Sequence, residues 1–324
     1  TTIEGDNRLI TLTNVKQNNC IGICSFNEIS EGEPIVLALG MFDGVHAGHR
    51  RLLEQTKSLS EKYGASPTIL TFVNHPYTVI ASDNIPLLIN TVREKAMLAA
   101  DCGIKQIVAL CFDDEFAALS PDAFIEKYIL SLNTKGVVCG YNYRFGKAAR
   151  GDCAFLSEKL KKCGIEVCVE DKYCIDGIAV NRTYIRTLIE SGDIARANKF
   201  LSSEYIVSGN VAHGYERGRT LGFPTANIIP IEDKLLPPNG VYVTKTVIDS
   251  TEFISVTNIG NNPTYSNKTR TVETFVTGFA GDLYGKYIVV KFYKKLRDEI
   301  KFDSVEALVS AIASDKQSAL DFFG

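Results

Sequence analysis

Pro34-Ile-Val-Leu-Ala-Leu-Gly-Met-Phe-Asp-Gly-Val-His-Ala-Gly-His49 is the stretch that decides how the first half of this chain is read. Its opening six residues form an unbroken apolar run, the mark of a strand covered on both faces. From His46 the spacing becomes helical: Leu52, Leu53, Thr56 and Leu59 share one side, Arg50, Arg51, Lys57, Glu61 and Lys62 stand largely elsewhere, and Gly64 offers a stop. Gly40 and Gly44 lie between strand and helix, where they permit sharp turns and close approach of a ligand. In an open α/β sheet, ligands bind at the carboxyl ends of strands. His46 and His49 fall at the opening of the helix, where unpaired N–H groups and the helix dipole attract phosphate. Two imidazoles and a helix N-terminus can hold a triphosphate and stabilise the charge that develops as pyrophosphate leaves. The protein needs no nucleophile for this if the second substrate brings its own phosphate oxygen. The chain has four histidines, and two of them stand three apart between these glycines, which ordinary helix-surface residues would have no reason to do.

Outward from this stretch the same alternation continues. Strands are predicted at Thr68–Phe72, Gln106–Phe112, Gly136–Cys139 and Ile165–Val169, and helices at 91–102, 121–132 (capped by Ser120, with Pro121 at its first position) and 152–163. Strands alternating with helices give a parallel sheet covered on both faces. Near residue 204 the pattern changes. Strands at 204–211, 240–248, 253–258, 269–279 and 287–293 are separated by Gly and Pro turns with little helix, which predicts a β-barrel or sandwich. A last amphipathic helix, 304–322, carries Val305, Leu308, Val309, Ile312 and Leu320. The expected organisation is α/β plus all-β: a first domain over 1–188, a connecting segment over 189–203 with a helix at Ile194–Leu201, and a second domain over 204–324.

Composition narrows the function classes. With 45% hydrophobic and 23% charged residues in 324, the chain can bury two cores. A net charge of −3 argues against a nucleic-acid binder, which would show a basic face, and suits an enzyme of small anionic substrates. The first residues show no basic segment followed by an apolar one, and no apolar run approaches the ~18 residues of a membrane span. Nine cysteines, all between Cys20 and Cys174 and none in a C-x-x-C pair, read as reduced thiols that act as small core residues rather than zinc ligands. The expectation is a cytoplasmic protein without membrane or nucleic-acid partners.

The second half carries its own loop, Gly209-Asn-Val-Ala-His213-Gly214-Tyr-Glu-Arg-Gly218-Arg219-Thr-Leu-Gly222-Phe-Pro224-Thr225-Ala-Asn227. A Gly-rich loop can cradle phosphates through backbone N–H groups, although no G-K-[ST] follows as in a Walker loop. Thr225 and Asn227 are neutral oxygen donors on one face of an extended segment. Such a pair suffices for magnesium, which takes its remaining oxygens from phosphates and water. A Gly/Pro-rich β-loop with a capping Asn fits the same residues.

Longer matches resolve that choice. Gly40 to His49 resembles the G-x-F-D-G-x-H-x-G-H signature of the nucleotidyltransferase superfamily at every position. Thr71-Phe-Val-Asn-His75-Pro76, and Gly140-Tyr-Asn142-Tyr-Arg144-Phe-Gly146 with Arg150-Gly-Asp152, resemble further motifs of the FAD synthetase module in bacterial bifunctional riboflavin kinase/FAD synthetases. Gly222 to Asn227 resembles the riboflavin kinase signature G-x-P-T-A-N. Pro238–Tyr242, Asn258–Thr264, Val272–Thr274, Asp282–Gly285 and Leu296–Phe302 follow in that family's order.

The resemblance implies a nucleotidyltransferase-type Rossmann-like sheet and a riboflavin-kinase barrel with a terminal helix. It implies two activities: phosphorylation of riboflavin to FMN by the C-terminal domain, and adenylylation of FMN to FAD by the N-terminal one, each with ATP and Mg2+. It implies Glu273 as the kinase's general base, and His46 and His49 in adenylyl transfer. Gly40, Phe42, Asp43, Gly44, Gly48, Asn142, Thr183 and Arg186 would bind ATP in the first domain. His213, Gly214, Gly218, Arg219, Gly222 and Pro224 would bind it in the second. His75 and Arg297 would contact flavin, and Thr225 and Asn227 the metal. Taken singly, His75 could end a strand, Asn142 could be a turn residue, Glu273 could face solvent from a strand, and Arg297 could make a surface ion pair. Phe275 stands where many relatives have His, which reads as a packing change. One departure bears on activity. Where the family carries S-S-T-x-x-R, this chain has Asn181-Arg182-Thr183-Tyr-Ile-Arg186, which leaves open a riboflavin kinase with an impaired adenylyltransferase domain.

Overall fold

The strand predicted from Pro34 onward lies at the centre of a parallel sheet. The computed structural model describes residues 10–13, 20–24, 26, 32–80, 85–212, 225–230, 233–261 and 270–324. The chain divides into two compact units, Thr1–Asn181 and Arg182–Gly324.

The first unit runs β1 (Ile10–Thr13), β2 (Cys20–Cys24), β3 (Ile35–Leu39), α1 (Ala47–Tyr63), β4 (Ser66–Phe72), α2 (Tyr77–Ile80), α3 (Val92–Asp101), β5 (Gln106–Leu110), α4 (Asp114–Ala118), α5 (Pro121–Ile125), β6 (Thr134–Gly140), α6 (Cys153–Lys162), β7 (Glu166–Glu170), β8 (Cys174–Ile175) and β9 (Ile178–Ala179). Its seven-stranded sheet has the order β1-β2-β5-β4-β3-β6-β7. All pairs are parallel except the edge pair β1–β2. All five residues of β3 are buried, as an apolar run between two parallel neighbours requires. From β3 the chain winds one way through β4 and β5, then crosses to β6 and β7 on the other side. The order therefore reverses at β3, and the crevice outside the carboxyl ends of β3 and β6 is where such sheets bind ligands.

The helices start and stop for local reasons. α1 ends at Gly64, whose φ of 59° is left-handed. Thr91 and Glu94 form a reciprocal capping box on α3, which satisfies the carboxylate of the fully buried Glu94. The helix expected over 121–132 is capped by Ser120, but it widens after Ile125 into a π turn, Glu126–Leu130. Phe124, Tyr128 and Ile129 from this segment pack with Leu37, Val137 and Leu156. The cysteines correct the sequence reading: Cys24 and Cys139 are buried core residues, but Cys111, Cys163 and Cys174 are exposed.

The second unit runs α7 (Arg182–Ser191), α8 (Ile194–Leu201), β10 (Tyr205–Ala212), β11 (Thr225–Ile228), β12 (Gly240–Ile248), β13 (Thr251–Asn261), β14 (Arg270–Val276), β15 (Tyr287–Arg297) and α9 (Val305–Phe323). α7 packs on α8, and α8 on β15 and β10, so both helices go with the barrel. The antiparallel strands close in the order β10-β11-β14-β13-β12-β15. One face of β12, β13 and β14 carries a lattice of buried hydroxyls: Thr244 bonds Ser255 and Thr257 at 2.8 Å each, and Thr257 bonds Thr274 at 2.9 Å. The opposite face carries Val241, Val243 and Val256, which pack against Ala319 of α9. α9 is capped by Ser304, whose Oγ accepts from Ala307 N at 3.1 Å. Its buried positions are Asp315 and Ala319, whereas Val305, expected in the apolar row, is 55% exposed. No helix among the described residues is long and apolar enough to cross a membrane.

Candidate functional sites

In the first unit, the segment between β3 and α1 is bent by an unusual backbone. Phe42 (φ 49°), Gly44 (φ 92°) and Val45 (φ 36°) are all left-handed, and Phe42 and Val45 are buried. A β-branched residue at positive φ is strained by ~1–3 kcal/mol and persists only where its surroundings hold it. Two tethers do so. Thr71 Oγ1 of β4 donates to Met41 O at 2.9 Å. Asp43, with no exposed surface, accepts at Oδ1 from Ile89 N (2.8 Å) and Asn90 N (3.1 Å). Asp43 thus ties this segment to the entry of α3, a task its place in the motif did not reveal.

The bend delivers His46 to the N-cap of α1. Its Nδ1 accepts from His49 N at 3.2 Å, so in the neutral ring the proton sits on Nε2. The two rings stack with centroids 3.6 Å apart and 9° between planes. Phe42 lies against His49 with centroids 5.0 Å apart. Gly48 follows within the first turn of α1, close against the His46 ring.

Two more motifs follow the neighbouring strands. His75 lies beyond the end of β4, buried, with Nδ1 accepting from Tyr77 N at 3.1 Å. Asn142 lies exposed in the turn after β6. The carboxyl ends of three adjacent strands, β4, β3 and β6, therefore carry His75, the paired histidines and Asn142. The segment after Asn142 is closed by the Phe145–Gly151 bridge and by Arg144 Nη1 on Asp152 Oδ2 at 2.9 Å. Asp152 also caps α6, and these bonds, first the one from Phe155 N, hold its carboxyl below the usual range. Thr183 and Arg186 stand on α7, in the second unit.

In the second unit, strand register assembles the site. Asn227 of β11 is paired with Glu273 of β14, and Glu273 with Asn258 of β13. Directly paired residues of antiparallel strands point the same way. Asn227, Glu273 and Asn258 therefore form one row across three strands, and Thr225 lies on the same face beside Phe275. Asn227 Oδ1 is buried with no hydrogen-bond partner among the described residues. Burial, and then the charge of Glu299, push the Glu273 carboxyl above its ordinary range. Asn258 and Glu299 belong to stretches legible as motifs, but no spacing in the sequence joins them to Glu273. His213, Gly214, Gly218, Arg219, Gly222 and Pro224 lie outside the described residues.

Arg297 makes the ion pair that its sequence position also allowed. Its Nε and Nη2 donate to Asp315 Oδ1 and Oδ2 of α9 at 3.0 and 2.8 Å, and its Nη1 to Asp298 O at 3.1 Å. The guanidinium clamps the end of β15 to the terminal helix.

Known proteins share both halves. Residues 28–184 match the FAD synthetase family and residues 201–323 the riboflavin kinase family. The bifunctional riboflavin kinase/FMN adenylyltransferase of Bacillus subtilis (strain 168) is 34% identical over 89% of this chain and 92% of its own length. That of Escherichia coli (strain K12) is 34% identical over 90% and 94%. A crystal structure described as a macrolide-efflux protein from Streptococcus pneumoniae aligns with a TM-score of 0.80 and 28% identity, covering 91% of this chain and 96% of that one. With both families matched in order, and relatives above 30% identity along almost its whole length, the chain belongs to the bifunctional riboflavin kinase/FMN adenylyltransferases.

Proposed function

We propose that the barrel phosphorylates riboflavin to FMN with Glu273 as general base, and that the parallel-sheet unit adenylylates FMN to FAD at His46 and His49. ATP serves both steps. The observation that carries the reading is the row Asn227–Glu273–Asn258, which sets a half-buried carboxylate of raised proton affinity beside a buried neutral oxygen that has no hydrogen-bond partner among the described residues. Glu273 takes the proton of the ribityl 5′-hydroxyl. The hydroxyl oxygen bonds to the γ-phosphorus, the bond from that phosphorus to the β-phosphate oxygen breaks, and ADP leaves. A raised pKa makes Glu273 the stronger base for this proton.

Magnesium fits the donors present. Asn227 Oδ1 and the Thr225 hydroxyl are hard neutral oxygens on one face, enough for an ion that keeps water and phosphate ligands. When bound, the ion neutralises charge on the transferring phosphates.

In the first unit, a phosphate oxygen of FMN bonds to the α-phosphorus of ATP and pyrophosphate departs. The N-terminus of α1 and the His46 Nε2–H supply donors where that charge develops. Asn142, at the carboxyl end of the adjacent strand, is suited to the nucleoside. Thr183 and Arg186 are suited to ATP phosphates. The compartment fitting this reading is the cytoplasm, and no nucleic acid or membrane enters it.

Chromatography of products from riboflavin, ATP and magnesium tests both halves. FMN and FAD should both form. Asn227→Ala should suppress FMN formation from riboflavin yet leave FAD formation from supplied FMN intact. Formation of FMN without any FAD, even from supplied FMN, would reduce the protein to its kinase.

A further inference from the structure

Glu299 lies two residues beyond β15 and is exposed, a position where a glutamate ordinarily hangs in solvent. Here it is anchored. Its Oε2 accepts from Asn239 Nδ2 at 2.9 Å. Asn239 Oδ1 accepts from Arg270 Nε at 3.1 Å. The other Arg270 nitrogens donate to Leu236 O, at 3.1 Å, and to Pro237 O. One guanidinium thus fixes the turn before β12, and that turn fixes the carboxylate.

The second oxygen, Oε1, is aimed. It lies over Gly260 of β13, where a Cβ would come within 2.4 Å of it and 3.3 Å of Asn258 Nδ2. The missing Cβ is what lets the carboxylate reach the strand. Asn258, two residues earlier, is the cross-strand partner of Glu273. Asn239 takes Oε2, whereas Oε1 accepts no hydrogen bond among the described residues. The charge of Glu299 reaches Glu273 and adds to the upward push on its carboxyl. Two carboxylates that feel each other's charge gain nothing from one another. They suit a neutral ligand that offers several hydroxyl donors along one chain. In the kinase reading such a chain is present: the ribityl group carries its next hydroxyl on the carbon beside the one that Glu273 deprotonates.

We propose that Glu299 is a substrate-binding residue of the kinase, whose Oε1 accepts a hydrogen bond from a secondary hydroxyl of the ribityl chain and so sets the terminal hydroxyl against Glu273. The role rests on the kinase reading. It makes Glu299 the residue that distinguishes a polyol from a plain hydroxyalkyl chain.

The test compares riboflavin with a flavin bearing a 5-hydroxypentyl chain, which keeps the terminal hydroxyl and lacks the secondary ones. Full-length wild type, Glu299→Gln and Gly260→Ala are assayed for kcat/KM on both. Gln keeps an oxygen for Asn239 and removes the charge. Ala at 260 keeps the charge and pushes Oε1 off the strand. Each variant should lose ~10–150-fold on riboflavin, the value of one hydrogen bond to a charged acceptor, and change little on the analogue. Equal losses on the two substrates, or no loss on either, would overturn the proposal. Turnover of riboflavin by wild type in the same assay tests the kinase reading separately, and its absence would remove both.

Discussion

At the scale of single residues, Glu273 shows why a motif and its chemistry are different kinds of information. The motif named a glutamate between Val272 and Thr274, which fits equally a solvent-facing strand residue. Only the paired strands show it half-buried, opposite Asn227 and Asn258, with Glu299 near enough to be felt. The direction of its shift has two consequences. Its folded-state pKa stands above the ordinary 4.5, so the fold prefers the protonated form. The stability this preference contributes is complete below 4.5 and is lost as pH rises through the raised value. Gln stays neutral at every pH. Glu273→Gln should therefore lower kinase turnover by ~10²–10⁴, the usual worth of a general base, yet melt at or above the wild-type temperature at pH 7. The melting difference should shrink toward pH 4, which calorimetry over a pH series would read. Asp43 teaches the converse. Its motif pointed to ATP, but its carboxylate is turned inward onto the backbone of Ile89 and Asn90. A long-range tether of that kind leaves no periodic trace in a sequence.

At the scale of elements, the caps and stops were legible because they are local. Ser120, Ser304 and Gly64 do what their residue types favour at helix ends. The registry of α9 was not legible. Its apolar row suggested Val305 as a core contact, but Val305 is exposed and the helix instead buries Ala319 and Asp315, the latter meeting Arg297 through three hydrogen bonds. The side chains of Arg297 and Asp315 are 25% and 11% exposed, between a surface pair and a buried one. Asp315→Ala should accordingly cost about 1–3 kcal/mol of stability. If Arg297 contacted flavin directly instead, the same substitution would free its guanidinium and leave riboflavin binding intact or tighter while stability held. Denaturant melts and riboflavin titration, run together, separate the two outcomes.

At the scale of the whole molecule, α7 and α8 belong to the barrel's unit, because α7 packs on α8 and α8 on β10 and β15. A fragment that starts within 189–203 would strip α8 of the helix that covers it. A fragment of residues 182–324 keeps both, together with the closed barrel and α9. It should fold cooperatively and phosphorylate riboflavin at a rate comparable to the full chain, and it should make no FAD. A cooperative melt with kinase activity in the fragment would establish that the second unit is self-sufficient. An inactive but folded fragment would mean that residues before 182 complete the kinase site.

The sequence by itself determined what depends on neighbours along the chain. The period of the apolar residues set a parallel α/β half before an antiparallel β half, and the glycines of the 40–49 stretch marked a turn feeding a helix N-terminus. Matching motifs named both halves of the enzyme. Tertiary structure decided what depends on neighbours across strands. Seven strands had to be ordered with β3 beside β6 before His46, His49 and Asn142 fell at one end of adjacent strands. Register had to be set before Asn227, Glu273 and Asn258 became a row. A one-residue slip between antiparallel strands turns a side chain to the opposite face at no change in sequence. Register is fixed by the sum of packing over a whole barrel, including its hydroxyl lattice and the valines under α9. For that reason the two halves could be read from the sequence, whereas the row of Asn227, Glu273 and Asn258 could not.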